Sequence, residues 1–267
     1  VFVGTAAASV NAPVIWWRVF AVGVVAVFMQ AGANYANDYS DGVRGVDHER
    51  RGPVRLTASG IATPAAVRAA AMVTFAVATA AGLALAIAVD LRLLVLGALC
   101  ILGAWFYSGG RRPYGHFGWG EVAVFAFFGF AATVGSAYVQ ARSVPAAAWW
   151  GSLVVGLPTC AVLVANNFRD IETDRRAGKR TLAVLMGPGP TRRLFLALLV
   201  GGMAAVVPIG LQHPTAFIAL AAVPLTVGPV RDLSRSANAS AHTRSLVMTV
   251  RLTFVTAALL SLGLALA

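Results

Sequence analysis

WWRVFAVGVVAVFMQAGANYANDYSDG, residues 16–42, decides the fold. Its first two thirds are almost wholly apolar and approach the roughly 20 residues an α-helix needs to cross a bilayer. A closed β-barrel would show period-two alternation instead, and none is present. The same run then turns polar at Asn34, Asn37, Asp38 and Asp41. At the α-helical turn per residue these four share an arc of roughly 100°, so they form one acidic stripe at the end of a span. Carboxylates crowded at a membrane boundary oppose one another's ionisation unless a cation neutralises them, and hard oxygen ligands of this kind suit Mg²⁺.

The rest of the chain repeats this organisation. Hydrophobic residues make up 58% of it and charged residues 12%, with a mean hydropathy of +0.77. This excludes an ordinary soluble domain and predicts an all-α, polytopic membrane bundle read as a single domain over residues 1–267. Apolar stretches near residues 1–10, 16–36, 63–89, 91–107, 121–140, 146–168, 194–211, 214–230 and 246–267 give about nine spans. The first is short and lacks a basic segment before it, so it reads as the tail of a truncated span rather than a signal peptide.

A second polar cluster, Asn166-Asn167-Phe168-Arg169-Asp170-Ile171-Glu172-Thr173-Asp174, ends another apolar stretch. Asn166, Asp170 and Asp174 fall within roughly 80° on a continuing helix. Helix capping accounts for one such end but poorly for two Asn-x-x-x-Asp stripes, so the pair reads as a metal and diphosphate site. Asn34, Asn37, Asp38, Asp41, Asn166, Asp170 and Asp174 are its candidate ligands, with Asp41, Asp170 and Asp174 the catalytic acids.

Cations surround these stripes. The net charge of +11 is scattered between apolar spans instead of gathered on a soluble module, which argues against nucleic acid. Segments 42–62, 108–120, 169–193 and 231–245 carry 15 of the 20 arginines, so they are expected to face the cytoplasm. Arg44, Arg111, Arg112, Arg169 and Lys179 are the candidate diphosphate contacts. Lys179 is the only lysine among 21 basic residues, in a place where composition favours arginine, and an ammonium acts as a compact point charge on phosphate. The glycine-rich YSGGRRPYGHFGWGE, residues 107–121, has the freedom of a lid, with Tyr107 and Tyr114 as candidate lid residues.

Other features read as structure. Cys100 and Cys160 lie in separate apolar segments as free thiols. Trp16-Trp17 and Trp149-Trp150 open spans as an aromatic belt. A divalent-cation transporter is the rival from another class, but its acids belong near mid-span, whereas these cluster beside cationic loops at one boundary.

NYANDYSDGVRGVD, RRGPVRLTASG, YSGGRRPYGHFGWGE and NNFRDIETDRRAGKRTLAVLMG together resemble the UbiA superfamily of intramembrane prenyltransferases, over essentially the whole chain. Within it they are most similar to the 1,4-dihydroxy-2-naphthoate polyprenyltransferase (MenA) branch. The resemblance implies two Asp-rich motifs after the second and sixth of nine helices. It also implies two Mg²⁺ ions, and transfer of a polyprenyl group from its diphosphate to 1,4-dihydroxy-2-naphthoate, giving demethylmenaquinone in a bacterial plasma membrane. Relatives using 4-hydroxybenzoate or homogentisate share the fold and remain the alternative acceptor classes. One departure matters: where many relatives place a third acid of the first motif, this chain has Gly45, with the acid displaced to Asp47.

Overall fold

The computed structural model describes residues 1–46, 54–235 and 239–267. Among these residues the secondary structure is helical, without strands. In chain order the helices are α1 (Phe2–Ser9), α2 (Trp16–Val43), α3 (Pro64–Ala88), α4 (Arg92–Ser108), α5 (Gly120–Ala141), α6 (Ala146–Arg169), α7 (Ile171–Arg176), α8 (Leu182–Met186), α9 (Pro188–Gln212), α10 (Pro214–Ser234) and α11 (Ser240–Ala265). Seven of them, α2, α3, α5, α6, α9, α10 and α11, are long and apolar enough to cross a membrane. The expected count of about nine is not reached by length. Helix α4 has 17 residues and α1 only 8. The two Asp-rich motifs nonetheless end the second and sixth helices, α2 and α6.

Local chemistry sets the helix ends. Thr63 caps α3, its hydroxyl accepting the Ala66 N–H at 3.3 Å, and Pro64 follows at the first helical position, where no N–H is missed. Gly187 precedes α9 with a φ of 75°, a conformation open to glycine, and Pro188 starts the helix. The first 13 residues of α10, Pro214–Thr226, wind as a 3-10 helix. At about 2 Å per residue this covers about 26 Å, against about 20 Å for α-helix, so a 21-residue element spans further than its length suggests.

The helices gather into two compact units. The larger comprises residues 1–19, 121–169 and 182–267. Its core is built largely from small residues, including Ala7, Ala137, Ala148, Ala216 and Ala219, against Val154, Val206, Ile209, Leu260 and Leu264. Small side chains let membrane helices approach closely where lipid offers no hydrophobic drive. Helix α5 widens to a π-helix over Phe125–Ala131, and there Gly129 meets Gly156 of α6. A Cβ on Gly129 would lie 2.7 Å from the Gly156 Cα, and one on Gly156 would lie 2.8 Å from the Gly129 Cα. The smaller unit comprises residues 20–120 and 170–181, with a core of Ala36, Ala71 and Phe75 bordered by Met29, Tyr35, Ile101 and Trp105.

Cys100 and Cys160 are free, as expected. Trp16, Trp17, Trp149 and Trp150 are exposed at the starts of α2 and α6, the arrangement expected of a belt.

Candidate active site

In the smaller unit the first motif lies on unbroken helix, as its spacing predicts, and each polar side chain has a separate assignment. Asp41, in the last turn of α2, is 5% exposed. Its Oδ2 accepts from Lys179 Nζ at 3.1 Å. Its Oδ1 makes an ion-pair contact with His116 Nε2 at 3.2 Å that is not aligned as a hydrogen bond, and both atoms are buried without another hydrogen-bond partner. One helical turn earlier, the Asn37 side-chain oxygen accepts from the Ser108 hydroxyl at 2.8 Å. Asn34 is exposed on the same helix.

Asp38 also binds the main chain. Its two carboxylate oxygens accept the backbone N–H groups of Leu56 and Thr57, at 2.9 and 2.8 Å. The loop after the first motif is thereby tied to α2. It comes so close that a Cβ on Gly42 would meet Thr57 side-chain atoms at 2.5 Å. One backbone N–H thus engages each oxygen of the Asp38 carboxylate, and Asp38 anchors this loop in addition to its place on the stripe. Arg44 also holds a loop: its guanidinium donates to the carbonyls of Ser108 and Gly110, at the start of the glycine-rich segment. Asp47 lies outside the described residues.

The glycine-rich segment is held at several points. Tyr114 donates to the Gly103 carbonyl at 2.6 Å, and its ring meets Tyr107 edge to face at 5.5 Å between centroids. Burial raises the Tyr114 hydroxyl to about 12, so it remains a donor throughout the physiological range. Gly115 is required by contact, since a Cβ there would lie 2.8 Å from the Tyr107 carbonyl. Gly118 takes a φ of 83° and closes the short 3-10 turn Tyr114–Phe117. Arg111 and Arg112 are exposed.

The second motif departs from the single stripe its spacing predicts. Helix α6 stops at Arg169, and Asp170 takes φ −99° and ψ 7°, outside the helical region, before α7 begins. The bend is held by the Thr173 hydroxyl and the Asp174 N–H, which both donate to the Asp170 carbonyl at 2.9 and 2.8 Å. The Lys179 N–H in turn donates to the Asp174 carbonyl at 2.8 Å while its ammonium reaches Asp41. Lys179 therefore links the two motifs within this unit. Glu172 pairs with Arg175 at 3.0 Å in the open, an interaction of little energetic weight.

In the larger unit the Asn166 oxygen accepts from Arg169 at 2.8 Å. Its neighbour Asn167 donates to Glu121 Oε1 at 3.0 Å, and the Cys160 thiol donates to the Glu121 carbonyl at 3.2 Å. Glu121 is a buried acid whose second oxygen has no hydrogen-bond partner.

Among the described residues no three His, Cys, Asp or Glu side chains converge as a metal site. The buried Oδ1 of Asp41, which has no hydrogen bond, and the amide oxygen of Asn37 still fit Mg²⁺, which is commonly held by one or two carboxylates, water and substrate phosphate. The sequence singled out Asp41 and Lys179, and the structure pairs them. His116 and Ser108 escaped it. The signal for His116 was a histidine flanked by glycines between an arginine pair and an acid; for Ser108 there was none, since its role exists only through packing against α2.

A sequence profile of the UbiA prenyltransferase family matches residues 1–255. The chain is 46% identical over 235 residues to 1,4-dihydroxy-2-naphthoate octaprenyltransferase of Mycobacterium tuberculosis, covering 87% of this chain and 80% of that protein. Among solved structures it is similar to a UbiA homologue from Aeropyrum pernix in its apo form, with a TM-score of 0.75 at 17% identity over 97% of this chain and 94% of that one. A UbiA homologue from Archaeoglobus fulgidus bound to GPP and Mg²⁺ matches with a TM-score of 0.62 at 14% identity, over 97% of this chain and 95% of the other.

Proposed function

We propose, from the premise that this chain belongs to the UbiA prenyltransferase family, that it transfers a polyprenyl group from polyprenyl diphosphate to 1,4-dihydroxy-2-naphthoate. Diphosphate and carbon dioxide leave, and because no electron is removed the product is demethylmenaquinone in its reduced form. One observation carries the chemistry. A buried carboxylate at a helix end, Asp41, has one oxygen paired with the chain's only lysine and the other facing His116 at 3.2 Å without a hydrogen bond. The naphthoate acceptor is supported by the mycobacterial relative.

Mg²⁺, with two ions expected, would be held by Asn37, Asp41, Asp170 and Asp174 with Asn34 nearby on the α2 stripe, and supplies charge neutralisation that makes diphosphate a better leaving group. Lys179 holds Asp41 in place and presents its ammonium where phosphate charge develops. Asp38 and Arg44 act on the site only through the loops they fix. The apolar helices exclude water from the allylic cation left when diphosphate departs, so that the electron-rich ring is its nucleophile. Segments 42–62, 108–120, 169–193 and 231–245 face the cytoplasm of a bacterial cell in this reading, because positive charge is retained on that side.

The deciding experiment assays membranes containing the protein with one polyprenyl diphosphate and either 1,4-dihydroxy-2-naphthoate or 4-hydroxybenzoate. Prenylated product is expected from the naphthoate alone; product from 4-hydroxybenzoate alone would replace the acceptor assignment. Orientation is tested separately by labelling a cysteine placed at Ser59, with Cys100 and Cys160 replaced by alanine. An impermeant reagent is expected to miss it in intact cells and reach it in inverted membranes.

A further inference from the structure

We propose that His116 is a further diphosphate-binding residue, whose Nε2–H passes from Asp41 to a phosphate oxygen when Asp41 turns to a cation. This rests on the prenyl transfer reading and names a residue that reading leaves out. The first observation is the opposition of two buried atoms. Asp41 Oδ1, an acceptor, and His116 Nε2, placed as a donor beside a carboxylate, are 3.2 Å apart in an ion-pair contact that falls outside good hydrogen-bond geometry, and neither atom has any other hydrogen-bond partner. Buried polar atoms in this state are costly, and each lacks about one good hydrogen bond. A ligand that presents a cation to the carboxylate and, beside it, an anionic oxygen to the ring satisfies both at once. A metal-bound diphosphate has that composition.

The second observation is how His116 is mounted. Its backbone N–H donates to the Pro113 carbonyl at 3.0 Å and its own carbonyl accepts the Arg180 N–H at 2.8 Å. Both main-chain groups are engaged, Gly115 before it is tightly packed, and Gly118 closes the turn after it. The backbone is therefore held, and the imidazole is the part free to change partner by rotation. The Arg180 bond also fastens this turn to the segment that carries Lys179, so the ring and the ammonium approach Asp41 from two tied segments. Their side chains are equally covered, each 14% exposed. The two groups are equivalent in placement: each faces one oxygen of the same carboxylate, and each is left beside the anion once that carboxylate is engaged elsewhere.

The test uses the full-length protein in detergent, comparing His116→Ala and His116→Gln with the parent. Inorganic pyrophosphate with Mg²⁺ is titrated by calorimetry, and steady-state kinetics vary the prenyl diphosphate, the naphthoate and Mg²⁺ separately. Expected for His116→Ala are about tenfold weaker pyrophosphate binding and a matching rise in donor KM, the size of one charge-assisted hydrogen bond. The naphthoate KM stays within about twofold, and the Mg²⁺ requirement does not rise. His116→Gln, which keeps an N–H donor, recovers part of the loss. Parent-like pyrophosphate binding in His116→Ala overturns the proposal. So does a raised Mg²⁺ requirement, which makes the ring a metal ligand, or an equal rise in both substrate KM values, which makes it packing. If the parent binds pyrophosphate but prenylates no naphthoate, the function reading fails while the calorimetric comparison still decides the role of His116.

Discussion

The first acidic motif runs along unbroken helix from Asn34 to Asp41, whereas the second crosses a bend at Asp170 and continues into the short α7. Their compositions are alike and their supports differ. On α2 the polar side chains divide their duties: Asn37 receives Ser108, Asp38 receives two backbone N–H groups, and Asp41 alone keeps a buried oxygen without a hydrogen bond. In the second motif the carbonyls of Asp170 and Asp174 accept from Thr173, the Asp174 N–H and the Lys179 N–H, so main-chain groups take part in holding the bend. Substitutions in the first motif should therefore separate by residue, while those in the second should act together.

Asp41→Ala is expected to have the largest effect. Turnover should fall by about 10²-fold or more, the usual cost of losing preorganised charge stabilisation, with the folded protein still in the membrane. Asp170→Ala should match it, measured as prenylated product per amount of detergent-extracted protein. Near-normal activity of Asp41→Ala at limiting Mg²⁺ would remove the contrast between Asp41 and its neighbours.

Asp38→Ala comes next and by a different route. It leaves two backbone N–H groups of the 54–60 loop without their acceptor, at about 1–3 kcal/mol for each group that stays buried. Faster proteolytic cleavage in that loop and about tenfold lower activity are expected, with the Mg²⁺ requirement unchanged. Asp38→Asn, retaining an acceptor oxygen, should be intermediate. A shifted Mg²⁺ requirement would return Asp38 to the ligand set.

Lys179→Ala should raise the donor KM several-fold and leave the naphthoate KM nearly unchanged. Lys179→Arg should recover only part, because a planar guanidinium directs its donors differently. The smallest effect belongs to Tyr114→Phe. It deletes one hydrogen bond to Gly103, about 1 kcal/mol, and should lower the melting temperature by a few degrees. Because the hydroxyl titrates only at about 12, the pH profile below about 9 should match that of the parent; a new acid limb there would mean Tyr114 exchanges a proton in the reaction.

Helices were the most legible part of the sequence, because a 20-residue apolar run constrains its own conformation and ends where polar residues begin. Asp41 and Lys179 were legible as chemical exceptions, an acid and a lysine where the composition predicts neither. The backbone partners of Asp38 were not legible, for a specific reason. Helical spacing gives the direction of a side chain, not the partner waiting there, and Leu56 and Thr57 arrive from a loop whose path the spacing does not encode. The bend at Asp170 was invisible for a related reason. Arg169-Asp170-Ile171 contains neither glycine nor proline, so no helix-breaking residue announces the bend.

The meeting of Gly129 and Gly156 bears on how such a protein can change over generations. Each glycine lacks room for a methyl group because of the other's backbone, so neither position can drift first and be compensated second by a smaller residue, since none exists. An accommodating change has to move a whole helix, as by adding or deleting the extra residue of the π-turn that spans Gly129. Anyone grafting α5 from a relative onto this chain should transplant α6 with it, treating the two as one inherited piece.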